Sequence, residues 1–112
     1  MSDLSRLRPL HDEAMALAEM ASVAKLRGEL EQAGPLLWQA YDKESRAAEL
    51  LRGAVSLEPT RSILFRSAAS LAIDCNQLRE AEALITTALS GNPPAEIVAE
   101  LRRLLQQVRV AK

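Results

Sequence analysis

The stretch from Leu30 to Leu57, LEQAGPLLWQAYDKESRAAELLRGAVSL, decides the fold. Ala33, Ala40, Ala47 and Ala54 recur every seventh residue, and Leu30, Leu37 and Leu51 extend the same stripe. A seven-residue apolar repeat lays one face of an α-helix against a partner helix. Alanines on that face let the two backbones approach closely. The spacing predicts one helix from about Glu29 to about Leu57, roughly 40 Å long at ~1.5 Å per residue. Pro35 falls in its first turns, where a missing N–H is tolerated. Glu58-Pro59-Thr60 breaks it. Glu44 interrupts the stripe, and a carboxylate on a buried face must be paired or protonated.

Working outward, Leu10, Ala14, Leu17, Ala21 and Ala24 are spaced by threes and fours, one face of a preceding helix with Pro9 in its first turn and Gly28 after its end. Downstream, Thr60 opens a third helix carrying Leu64, Ala68, Leu71, Ala72 and Cys75 on one face. Asn76-Gln77 makes a short turn. Leu78, Ala81, Ile85, Ala88 and Leu89 mark a fourth helix that stops at Gly91-Asn92. Pro93-Pro94 begins a fifth, with Ile97, Leu101, Leu104 and Val108 inward. The expectation is an all-α single domain over residues 1–112 with about five helices. It comprises a hairpin at 8–57 with an elongated second helix, a hairpin at 60–91, and a C-terminal capping helix at 94–110.

Composition supports helix-on-helix packing. Apolar residues make up 48% of the chain, yet it holds one Trp, one Tyr and one Phe, so alanine and leucine must fill the core. No stretch alternates apolar and polar residues as a half-buried strand would. The net charge of −1 lacks the basic excess that phosphate neutralisation demands, which disfavours nucleic acid as a partner. Arg102, Arg103, Arg109 and Lys112 read as cations near a helix C-terminus. No apolar run approaches the ~20 residues that span a bilayer, and MSDLSRLRPL lacks the apolar segment of a signal peptide. Cys75, the only cysteine, excludes an internal disulfide and a zinc-type cluster, and fits a reduced, cytoplasmic setting.

From Ser62 to Pro94 the chain resembles one unit of the tetratricopeptide-repeat family. Ala69 takes the small position of the first helix. Leu78 opens the second, Ala81 and Ala88 are its two alanines, Ile85 its bulky residue and Pro93 its terminal proline. Phe65 stands where the family usually has Trp. Ala14 to about Ala47 resembles a second unit through Leu17, Ala21, Ala24, the Gly28-Glu29-Leu30 turn, Ala33, Leu37 and Ala40. The segment EPTRSILFRSAA, residues 58–69, also resembles a group of uncharacterised bacterial proteins of this type, and the long-hairpin form is similar to the MIT domain. The resemblance implies stacked antiparallel hairpins and a groove that grips a peptide or protein. The first helices of each pair would line it, with Met15, Ala18, Ser22 and Lys25 on one wall and Ile63, Arg66, Ser70, Ile73 and Asp74 on the other. Ala18, Ser22 and Ser70 stand where a carboxylate clamp would need Lys or Asn, which argues against a chaperone-tail binder.

The residues offer little chemistry. No glycine-rich phosphate loop and no nucleophile–base set emerges, and no cofactor is called for. His11, beside Asp12 and Glu13, reads as part of a solvated helix start. Cys75 beside Asp74 reads as a small core residue, since a neighbouring carboxylate raises a thiol pKa. Antiparallel registration brings Glu44 near His11, with Arg46 and Arg66 as other partners. Glu44 then serves as a buried polar pin, or emerges into water where the first helix ends. A metal site from His11, Glu44 and Asp74 is a remote reading. A longer second helix leaves Leu30, Leu37, Trp38 and Tyr41 as a surface for a homodimer.

Overall fold

The structure, a computed structural model, describes residues 3–111. The chain forms α1 (Asp3–Leu26), α2 (Leu30–Leu50), α3 (Thr60–Asp74), α4 (Leu78–Leu89) and α5 (Ala95–Ala111), with a short 3-10 turn at Val55–Leu57. No strand occurs among the described residues. The all-helical architecture therefore matches the spacing.

Both hairpins reverse by the same device. After α1, the Gly28 N–H donates to Lys25 O (3.0 Å) and the Glu29 N–H to Ala24 O (2.8 Å), with Gly28 left-handed at φ 76°. After α3, the Asn76 N–H donates to Ile73 O (2.9 Å) and the Gln77 N–H to Ala72 O (2.8 Å), with Asn76 at φ 59°. This paired bonding satisfies the last carbonyls of a helix and needs a residue that tolerates the left-handed region. Glycine and asparagine are those residues.

Two helix limits differ from expectation. α1 starts at Asp3, well before Pro9, which sits inside the helix. His11 is therefore in the interior of α1 and not in its first turn. The earlier turns continue because Leu7 joins the core. α2 ends at Leu50, not near Leu57. Its last bonds tighten, with the Leu51 N–H on Ala48 O (2.9 Å) and the Ala54 N–H on Leu51 O (2.9 Å). Gly53 weakens the helix here. The Arg52 carbonyl, which a longer helix would have used, instead accepts from Arg61 Nε at 2.9 Å. At 21 residues α2 is shorter than the 24-residue α1.

α2 lies between α1 and α3, α4 packs on α3, and α5 crosses α3 and α4. The main core gathers Leu64, Phe65, Ala68, Ala69 and Ala72 of α3. Ala81, Leu84, Ile85 and Ala88 of α4 and Ile97, Leu101 and Val108 of α5 meet them. The first hairpin contributes Leu7, Ala47, Ala48 and Leu51 to it. Ala14, Ala21 and Ala24 of α1 and Ala33 and Ala40 of α2 are also buried, as an alanine seam outside that cluster.

Candidate functional site

The interruption in the α2 stripe is a buried carboxylate. Glu44 has no exposed surface, and both its oxygens lie within bonding distance of His11 Nδ1, at 2.9 and 3.0 Å. The reading in which Glu44 emerges into water is thereby overturned, because α1 extends far enough to cover it. Burial pushes the Glu44 carboxyl above its ordinary value, against the opposing pull of the His11 bond, the His11 charge and the more distant Arg66. His11 keeps about a third of its surface and so links the pair to solvent. Arg46 pairs with Asp42 at 3.3 Å. Arg66 donates to Glu100 of α5 at 2.6 Å.

The expected groove residues separate into two places. Arg66 and Ser70 face α5, lining with Glu100, Arg103, Leu104 and Gln107 a cleft of about 250 Å3. Ile63 and Ile73 pack against the main core and are partly buried. Asp74 lies at the other end of α3 with Cys75 and Asn76. There it faces Gly34, Leu37 and Trp38 of α2 across a cleft of about 300 Å3. Lys25 of α1 is exposed, and its charge acts on Cys75. The walls divide because α2 lies between α1 and α3, which make no close backbone packing with each other among the described residues.

Within the second cleft Trp38 is half-exposed, with its ring 5.4 Å from that of Tyr41. Leu37 and Tyr41 are partly buried by their own chain, whereas Leu30 stays exposed. The expected dimer surface at Leu30, Leu37, Trp38 and Tyr41 rested on α2 being longer than both α1 and α3; α2 outreaches the 15-residue α3 but not the 24-residue α1. Cys75 caps α3, half-buried, instead of sitting within the core. Burial first, and Asp74 next, push its thiol pKa up, against the opposing pull of the Lys25 charge. Among the described residues no three His, Cys, Asp or Glu side chains gather as metal ligands, so His11, Glu44 and Asp74 do not form a metal centre.

The feature missed in the sequence is Arg61. It is 2% exposed, and it donates to Arg52 O (2.9 Å), Thr87 O (2.9 Å), Ala88 O (3.4 Å) and Glu58 Oε2 (3.4 Å). Its guanidinium also stacks 5.3 Å from the Phe65 ring centroid. One cation thus binds carbonyls at the ends of α2 and α4, where helix dipoles favour positive charge. Glu58 completes the node by accepting from the Ser62 hydroxyl (2.7 Å), the Ser62 N–H (3.0 Å) and the Asn92 N–H (3.0 Å). Burial raises the Glu58 pKa, but the Ser62 and Asn92 bonds and the Arg61 charge outweigh it and hold the carboxyl below its ordinary range. A signal existed: Arg61, Leu64, Phe65, Ala68 and Ala72 share one helical face.

The node is architectural. The open surfaces are the Trp38 cleft, the Arg66 cleft and the outer side of the first hairpin. Among the described residues no helix is long and apolar enough to cross a membrane. No family model, no curated protein and no solved structure matches this chain, and the tetratricopeptide resemblance stands on residue spacing alone.

Proposed function

We propose that this chain is a non-catalytic interaction module of tetratricopeptide type, an adaptor or scaffold that holds a peptide or protein partner. The observation that carries the reading is Trp38. It is the only tryptophan, and it stays half-exposed at a cleft bounded by Leu37, Asp74 and Cys75. Exposed aromatics beside a concavity are the usual anchors of protein interfaces. Asp74 supplies a negative charge at its rim and the exposed Lys25 acts electrostatically on Cys75 beside it, which suits polypeptide better than a polyanion. The matching reversals at Gly28 and Asn76 fit a stacked-hairpin scaffold. Self-association is a second reading, favoured by Met20, Val23 and Leu26, which α1 leaves exposed.

Immobilised protein is expected to enrich peptides from a displayed random library. Trp38→Ala is expected to abolish retention with an unchanged helical spectrum. Enrichment insensitive to both Trp38→Ala and Lys25→Glu, or no enrichment, would overturn this reading.

A further inference from the structure

Resting on the reading of the chain as an interaction module, we infer that the outward face of α1 is a homodimer interface in which two copies cross antiparallel about a two-fold axis near Val23. Val23 is 40% exposed, Met20 53% and Leu26 89%, an apolar patch that this chain does not cover. Their arrangement is symmetric. Met20 lies three residues before Val23 and Leu26 three after, while Glu19 lies four before and Arg27 four after. Helical bonding runs through Arg27, whose N–H donates to Val23 O at 3.1 Å.

In an antiparallel pair crossing at Val23, a residue ahead of the crossing meets the level of one equally far behind it in the second copy. Met20 then lies level with Leu26 of the second copy, and Glu19 level with Arg27 of the second copy. The Glu19–Arg27 pair therefore forms twice, once on each side of the axis. Parallel pairing would instead set Glu19 against Glu19 and Arg27 against Arg27, which is repulsive. Within one chain Glu19 and Arg27 are separated by ~12 Å along the helix, too far to satisfy each other. Neither has an ion-pair partner among the described residues.

Space for the second copy is available. Ala16 lets a helix approach closely. An open groove of about 510 Å3 between α1 and α2, lined by Met20, Val23, Ala24, Gln32 and Leu36 among others, can receive its Leu26 side chain. A two-fold contact sets the same patch against itself, and this patch supplies both the opposite charges and the apolar residues that such a contact brings level.

Light scattering is expected to give twice the 12.3 kDa chain mass at high concentration. In a Cys75→Ser background, Val23→Cys is expected to oxidise to a linked dimer, because a residue on the axis meets its own copy. Val110→Cys, 74% exposed on α5, is the control and stays unlinked. Glu19→Arg is expected to weaken association roughly tenfold, by turning two attractive pairs into repulsive ones. Adding Arg27→Glu restores it. A strict monomer, equal linkage at Val110→Cys, or no rescue by the double exchange would overturn the interface. Peptide retention through Trp38 that survives in Glu19→Arg would show the adaptor reading standing or falling apart from it.

Discussion

Between α1 and α2 the buried side chains are mostly alanines: Ala14, Ala21 and Ala24 face Ala33 and Ala40. Among α3, α4 and α5 they are Leu64, Phe65, Leu84, Ile85, Ile97 and Leu101. Burying a leucine, isoleucine or phenylalanine contributes about 1.5–3 kcal/mol, and alanine offers a fraction of that area. The first hairpin therefore relies on close backbone approach, and the second region on filled volume. Each also holds one carboxylate drawn inward, Glu44 fully buried and Glu58 partly so, and the two are perturbed in opposite directions. Glu44 faces one half-exposed imidazole and is raised. Glu58 faces Ser62, the Asn92 N–H and a buried guanidinium, and is lowered. Few donors on a dry seam leave desolvation dominant, and many donors at a helix junction overcome it.

The contrast predicts where the molecule breaks. The largest effect is expected from Arg61→Ala, which strips a buried cation from Glu58 and three carbonyls. Breaking such a node costs about 3–5 kcal/mol, so the denaturation midpoint should collapse. Arg61→Lys should recover little, because one ammonium cannot reproduce the planar fork. Wild-type stability in Arg61→Ala would show that the node is ornamental.

Gly91→Ala comes next. An added Cβ would fall within contact of the Arg61 guanidinium and 2.8 Å from Glu58 Oε2, with both side chains held in place. Overpacking of this kind costs about 1–3 kcal/mol. Gly34→Ala meets nothing within 4 Å and serves as the comparison in the other region. Similar losses for the two variants would erase the distinction.

Ala40→Leu tests the seam itself. It should force α1 from α2 at a cost of about 1–3 kcal/mol. Amide exchange should quicken in α1 and the first half of α2, leaving α3–α5 nearly as protected as before. Uniform loss of protection would mean that the hairpin and the body unfold as one.

Smallest is the response to pH. The Glu44 carboxyl stands above its ordinary 4.5, so its contribution favours the fold fully below pH 4.5 and is lost as pH rises through the raised value. Glu58 runs the other way: its contribution is present above pH 4.5 and is lost as pH falls through the lowered value. Glu44→Gln should match the wild type in mild acid and exceed it in stability at neutral pH. Urea midpoints at the two pH values check this. Lower neutral stability for Glu44→Gln would mean that the His11 bond outweighs burial.

The five helices and both turns were legible because each is written in local spacing or in a residue suited to the left-handed region, whereas the spacing placed Glu44 on the apolar stripe and left open whether α1 covers it. Glu44 falls among Ala40, Ala47 and Leu51 on one stripe, but only the length of α1 decides that it is buried. The end of α2 was not legible. Nothing between Ala47 and Leu57 is a strong breaker, and the helix stops where Arg61, nine residues further on, takes the Arg52 carbonyl. The split of the expected groove was equally hidden. Whether Arg66 faces open solvent or Glu100 depends on where α5 crosses, which a stripe within α3 cannot encode.

Trp38 and Tyr41 both lie on α2, while the body holds Phe65 as its single aromatic residue. Intrinsic fluorescence excited beyond the phenylalanine band therefore reports on the first hairpin, whereas far-ultraviolet circular dichroism sums every helix. The protein carries its own two-channel probe of cooperativity. Coincident melting curves in the two signals describe one folding unit, and an earlier fluorescence transition describes a hairpin that loosens before the body does.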